Sequence, residues 1–262
     1  MRMPMLMGIG CVVLVTLTVM GVLHVWRPGV AIADTFNCYQ NDQCEISLAD
    51  SQQCELGRDY TITIDQQYRN ADVIVLSIHG GKIEPHTSQI SQTLAEAYKW
   101  NRYDFAGHGT RHCLRGGSNF DILHITSSRF DEPDGLALVS SHPKAVSIHG
   151  YGPQRRYRRG TICVGGKNAD QVSAFMDFID TNRDDFGAYR LLPVDATQAE
   201  SGETCTGLGG TSSRNIVNKT MTEMGLQLEL GKRMRQDLVN PQAQYDELRR
   251  IVYGAIAHAI AS

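Results

Sequence analysis

Short apolar runs and helical stripes alternate along this chain. "VIVLSI" (73–78), "AVSIH" (145–149) and "TICVGG" (161–166) are continuous runs rich in β-branched residues, the pattern of strands buried on both faces of a largely parallel sheet. "YTITID" (60–65) alternates like a half-buried strand, and "YDFAG" (103–107) and "YRLLPV" (189–194) are shorter candidates. "GLQLEL" (225–230) puts Leu226, Leu228 and Leu230 on one face and Gln227 and Glu229 on the other. Between these lie helical patterns. Thr87 would cap a helix with Ile90, Leu94, Ala97 and Tyr98 inward; Pro133 would open a short helix to Val139. Residues 168–183 carry Val172, Phe175 and Ile179 on one stripe, and a last helix from about Gln242 carries Leu248, Val252, Ala255 and Ala259. Strands alternating with helices predict one compact α/β domain, a twisted, mostly parallel but mixed sheet flanked by helices. Ligands bind such sheets beyond the carboxyl ends of the strands.

The front of the 262-residue chain is of another kind. Residues 5–23 hold no charge and follow Arg2, and Ala31-Ile32-Ala33 offers a small-x-small cleavage site. We read 1–33 as a signal peptide, with an N-terminal membrane anchor as the alternative, since nineteen uncharged residues could span a bilayer. Residues 34–58 then form a cysteine-bearing extension, and 59–262 the main domain. Cysteine usage agrees with export. Besides Cys11 in the leader there are six, Cys38, Cys44, Cys54, Cys113, Cys163 and Cys205, enough for three disulfides with fifteen connectivities. The net charge of −3 gives no electrostatic footprint for nucleic acid.

The tetrapeptide "SIHG" occurs at 77–80 and again at 147–150, each time ending an apolar run, so that His79 and His149 both fall at strand ends. The first copy continues into "GKIEP", and Gly80 and Gly81 let the loop fold Glu84 back toward His79. Two imidazoles and one carboxylate are a donor set typical of catalytic zinc, which acidifies a water in its open position. Such chemistry also needs a general base, and Glu229, on the polar face of an apolar strand, is the best-placed carboxylate. Each residue alone has a plainer reading: a hydrogen-bonded loop histidine, a solvated glutamate after Gly-Gly, an exposed glutamate on an edge strand. Convergence is what separates the two.

Other polar groups are weaker candidates. His108 and His112 sit among glycines and read as loop residues, His86 and His142 adjoin prolines and read as turn residues, and His124 reads as a core hydrogen-bonding group more readily than as a cleft residue. Arg155, Arg156, Arg158 and Arg159 form the one dense basic run, placed just after His149. It fits an anionic ligand as well as a solvated loop. Arg129 and "RNIVNK" (Arg214, Asn215, Asn218, Lys219) add carboxylate-pairing groups. Asn218-Lys219-Thr220 is a glycosylation sequon; if it lines a cleft, it should stay unmodified.

In this order, "SIHGGKIEPHTS" (77–88), "LHITSSRFDEP" (123–133), "AVSIHGYG" (145–152), "VGGKN" (164–168), "RNIVNK" (214–219) and "GLQLEL" (225–230) with "RMR" (233–235) resemble the zinc-dependent poly-γ-glutamate hydrolases known from phage depolymerases. The resemblance implies a fold similar to zinc carboxypeptidases and one Zn²⁺ per chain held by His79, Glu84 and His149. It implies Glu229 as the catalytic carboxylate and an endo-type attack on γ-glutamyl amide bonds. Arg129 would then assist at the oxyanion, and Arg155, Arg156, Arg158, Arg159, Arg214, Asn215, Asn218 and Lys219 would hold the substrate's α-carboxylates. The leader, the six cysteines and "GHGTRHCLRGG" (107–117) depart from a compact phage enzyme and suggest an exported, monomeric relative. Two alternatives remain: a zinc peptidase or amidase acting on small acyl-glutamates or cell-wall peptides, and a binder of anionic polymers that cuts nothing. Comparing γ-linked polymer with short γ- and α-linked peptides separates the first, and saturable binding without product would establish the second.

Overall fold

The computed structural model describes residues 56–68, 71–108, 123–152, 155, 157–183 and 190–262. The proposed leader, Cys38, Cys44, Cys54, Cys113, His112 and Arg156 lie outside the described residues.

Among the described residues seven strands form one mixed sheet: β1 (Tyr60–Asp65), β2 (Val73–Gly81), β3 (Asn101–Gly107), β4 (Lys144–Tyr151), β5 (Thr161–Gly166), β6 (Leu192–Asp195) and β7 (Leu226–Gly231), in the order β1-β3-β2-β4-β7-β5-β6. The central strands β3, β2, β4 and β7 run parallel. β1 is antiparallel to β3, and β5 is antiparallel to β7. The helices are α1 (Thr87–Tyr98), α2 (Pro133–Ser140), α3 (Ala169–Asn182), α4 (Lys232–Leu238) and α5 (Asp246–Ala261), with 3₁₀ turns at Ile216–Asn218 and Ala243–Tyr245.

Strand alternation divides the core. One face carries Val75, Val146, Ile148, Val164 and Leu228 against α1, α3, α4 and α5, whose Leu94, Phe175, Met234 and Ile256 complete the larger cluster. The other carries Ile74, Leu76, Ile78, Tyr103 and Phe105 against Phe130, Leu138 of α2, and Ile216 and Val217. Glu132 caps α2: its carboxylate accepts the backbone N–H of Asp134 and Gly135 and the hydroxyl of Tyr103, which places a charged cap inside the second cluster.

Two sequence expectations, and one plainer reading weighed beside the site, need correction. Thr87 is not the cap of α1; His86 holds that position with φ 80°, and Thr87 is buried, donating its hydroxyl to the Glu84 carbonyl at 2.9 Å. The inward stripe of α1 uses Ser91 and Ala95 instead of the exposed Ala97, because Ser91 bonds Ser77 of β2 at 2.8 Å and so is satisfied inside. Last, β7 is not an edge strand. It lies between β4 and β5, so both its leucines and its polar face are buried.

A candidate metal centre at the carboxyl ends of three strands

Parallel pairing in register sets His149 of β4 directly beside Glu229 of β7, so their side chains share a face. His79 reaches that face by an irregularity. Ile78 already points into the cluster there, and strict alternation would turn His79 to the opposite side. The pairing of β2 with β3 slips between Ser77 and Gly80, and that bulge lets His79 follow Ile78 instead. Beyond it Gly81 has φ +67°, and a Cβ there would meet the Gly107 carbonyl oxygen at 2.3 Å, so only glycine fits the turn. The Glu84 N–H then donates to the His79 carbonyl at 2.8 Å, closing the loop that brings the carboxylate back over the histidine.

The donors converge. His79 Nδ1 is 3.0 Å from Glu84 Oε1 and 3.1 Å from His149 Nδ1, and His149 Nδ1 is 3.6 Å from Glu84 Oε2. Donors bound to one tetrahedral zinc at ordinary lengths lie roughly 3.3 Å apart. Backbone groups hold the donors in place: His79 Nε2 faces the Ile125 carbonyl at 2.7 Å, and Glu84 Oε2 also accepts the Gly150 N–H at 2.7 Å. A carbonyl can only accept, so Nε2 carries a proton, and in a neutral ring Nδ1 presents a lone pair to a carboxylate. Two acceptors at 3.0 Å repel unless a cation or proton lies between them. The residues therefore fit a divalent metal.

His124 is a further donor. His79, Glu84 and His124 also present ligand atoms within 4.8 Å of one another, with His124 Nε2 3.0 Å from Glu84 Oε1. His149 and His124 differ in their settings. His149 is enclosed, at 1 % exposure, with Nδ1 3.1 Å from His79 Nδ1, whereas His124 is half-buried and meets Glu84 from the cleft side.

Burial dominates the electrostatics. It lowers the His79 imidazole pKa, which the Glu84 charge only partly offsets. Burial alone would raise Glu84, but the charge of His79 and the hydrogen bonds that His124, His149 and His79 offer when protonated bring it well below the usual carboxylate range. Burial would also lower His149, yet the bond and charge of Glu84 leave it raised. Glu229 is pushed up to about 7 by burial, with Glu84 adding to the effect and His149 and Arg235 opposing it. A carboxyl poised near neutrality can both take and return a proton.

These groups floor a cleft of about 690 Å³ whose walls are Thr126–Ser128, Tyr151, Gly152, Arg155, Ala196, Thr197 and Gly207–Ser212. Among the sequence candidates, His79, Glu84, His149, Glu229, Arg155 and Asn215 line it. Arg155 reaches across to the Thr206 carbonyl at 2.7 Å. Arg129, Arg214 and Lys219 are exposed and outside the lining, so the cleft offers no support for the oxyanion role given to Arg129. Asn218 is buried and holds the wall from behind, donating to the Gly210 and Ser212 carbonyls; at 1 % exposure its sequon is closed in the folded chain.

Two polar lining residues beside the carboxylates were not among the sequence's site candidates. His124 faces the cleft and bonds Glu84 rather than filling the core, and no local pattern announces it. Gln227 sits two residues before Glu229 on the same face, which could have revealed it. Its Oε1 accepts from Asn215 at 2.7 Å, which aims its amide N–H at Glu229 Oε1, 3.3 Å away. A disulfide, Cys163–Cys205, stands on the same face: Cys163 of β5 pairs with Glu229, and Cys205 lies two residues before the Gly207–Ser212 part of the wall.

A mixed α/β sheet thus gathers imidazoles and carboxylates at adjoining strand ends under an open cleft. Residues 47–251 match the model of the poly-gamma-glutamate hydrolase family, and the chain belongs to that family. It is similar to the SPbeta prophage-derived protein YoqZ of Bacillus subtilis strain 168, 33% identical over 168 residues, covering 64% of this chain and 52% of YoqZ. It is also similar to YndL of the same organism, 34% identical over 166 residues, covering 63% of this chain and 56% of YndL. The chain thus spans about half the length of these relatives. Among solved structures, a bacteriophage poly-gamma-glutamate hydrolase superposes with a TM-score of 0.59 at 23% identity, covering 81% of this chain and 93% of that one. A zinc-free apo form of YndL superposes with a TM-score of 0.58 at 24% identity, covering 77% and 91%. At these identities the superpositions establish the fold.

Proposed function

We propose that the protein is an exported, zinc-dependent endo-hydrolase of γ-glutamyl amide bonds in poly-γ-glutamate. The observation that carries this reading is the meeting of His79 Nδ1, Glu84 and His149 Nδ1 at separations of 3.0–3.6 Å, with Glu229 on the adjoining strand. His79, Glu84 and His149 would hold the zinc, which when bound acidifies a water and polarises the scissile carbonyl. Glu229 takes the proton of the attacking water and returns it to the leaving nitrogen, and Gln227 keeps its carboxylate aimed while this happens. Arg155 on the cleft wall pairs with a free α-carboxylate of the polymer. The 690 Å³ cleft opens to solvent and is not an enclosed cavity, which suits a polymeric substrate. The Cys163–Cys205 bridge supports export, since such bonds persist in oxidising compartments.

Size-exclusion chromatography of high-molecular-weight poly-γ-glutamate tests the reading, with wild-type protein, added chelator, and Glu229→Gln. Chain length should fall quickly with wild type. Chelation should stop it, and the substitution should lower kcat by about 10²–10⁴. A zinc-loaded wild type that leaves the polymer intact would remove the substrate; a Glu229→Gln variant with unchanged kcat would remove the general base.

A further inference from the structure

α4 begins directly after β7 and turns one residue, Arg235, back beneath the site. Its side chain is buried, at 3 % exposure, and does not line the cleft. Its Nε–H donates to the Pro85 carbonyl at 2.9 Å, and Nη1 donates to the Leu230 carbonyl. The guanidinium also presses against Gly150: a Cβ added there would lie 1.7 Å from Nη1 and 2.1 Å from Cζ. Pro85 follows Glu84, Leu230 follows Glu229 and Gly150 follows His149. One planar cation thus touches the next residue along from three of the site's four principal side chains, each on a different strand or loop.

We propose that Arg235 is the positioning residue of this centre, the clamp that sets the mutual distances of Glu84, His149 and Glu229; the inference rests on the metal-hydrolase reading above. The middle contact explains how. Gly150 is gripped on one side by the guanidinium while its N–H holds Glu84 Oε2 at 2.7 Å, so any shift of Arg235 passes to the carboxylate through one peptide. A rigid fork with several N–H donors can serve two carbonyls at fixed angles, which the single ammonium of a lysine cannot reproduce. Glycine at 150 belongs to the same device, because any larger residue would push the fork off both carbonyls.

The test measures zinc affinity by chelator competition, kcat and KM on poly-γ-glutamate, and thermal unfolding. The proteins are wild type, Arg235→Lys, Arg235→Ala, Gly150→Ala and the double variant Gly150→Ala/Arg235→Ala. Zinc affinity should fall about 10- to 100-fold in Arg235→Lys and in Gly150→Ala, as for other residues that orient metal ligands. Where polymer is cut, kcat should fall with KM little changed. The double variant should be no worse than Arg235→Ala, since removing the fork makes room for the new methyl. Should Arg235→Ala not fold, Arg235→Lys and Gly150→Ala carry the comparison. A weakened zinc affinity at unchanged melting temperature supports the clamp whether or not the wild type cuts the polymer. Wild-type zinc affinity and kcat in Arg235→Lys, or fully additive losses in the double variant, would overturn it.

Discussion

The Cys163–Cys205 bridge should be a main constraint on the cleft wall, and its worth can be worked from the structure. It closes a loop of sequence separation 42. Loop-closure entropy for that length amounts to about 4 kcal/mol at room temperature. Both sulfurs are fully buried, so replacing the pair with alanines also leaves a small void worth about 1 kcal/mol more. A domain of this size loses roughly 2–4 °C of Tm per kcal/mol, so Cys163→Ala/Cys205→Ala should melt about 10–20 °C below wild type. The double variant is a cleaner perturbation than a reductant, which would also reach any other pairs among the remaining cysteines. The loss should also be local. Cys205, at φ 70°, anchors the segment from which Gly207 to Ser212 line the cleft. Limited proteolysis should therefore cut near 198–206 in the variant before it cuts elsewhere, and KM for the polymer should rise more than kcat falls. Calorimetry and peptide mapping decide the matter. A Tm drop under about 3 °C would refute the entropic reasoning, because a free loop of that length cannot be so cheap to order. A normal Tm drop with no new cleavage near 198–206 would refute the assignment of the bridge to the wall.

Zinc should stabilise the wild type by about 2.7 kcal/mol at a hundred times its Kd, read as a calorimetric shift; Glu84→Gln and His149→Ala should abolish the shift, while His124→Ala should keep most of it. If His124→Ala removes it and His149→Ala does not, the ligand set is the other triad. Glu132→Ala should cost roughly 2–4 kcal/mol, the sum of a lost cap and a stranded Tyr103 hydroxyl, and adding Tyr103→Phe should recover part of it in denaturant titration. KM for poly-γ-glutamate should rise with ionic strength and the slope should flatten in Arg155→Ala, because that contact is Coulombic; a salt-independent KM would take Arg155 out of the substrate site.

Much of the fold was legible because strands of this kind are written locally. The β-branched runs at 73–78, 145–149 and 161–166 had no other comfortable conformation, and all three are strands. Val172, Phe175 and Ile179 are buried on α3 as their spacing required. Boundaries set by polar partners were not legible: Ser91 turns inward only because Ser77 waits for it on β2, 14 residues earlier in the chain. The same holds for the site. Gly80 and Gly81 told of a tight loop carrying Glu84, but nothing local to "LHITSSRFDEP" decided whether His124 would face the core or the cleft.

The two copies of SIHG show where the line falls. By itself the sequence determined that each copy ends a buried strand and leaves a histidine at its carboxyl end, since apolar runs and glycines act on their own neighbourhood. Local sequence left open which way each histidine would point. In β4 regular alternation sends Ile148 into the helix-covered core and His149 to the cleft. In β2 Ile78 faces the opposite cluster, and a slip against β3 brings His79 to the cleft as well. Identical tetrapeptides are thus threaded oppositely. Facing is a property of register, and register is settled between strands, by the packing of whole elements against one another.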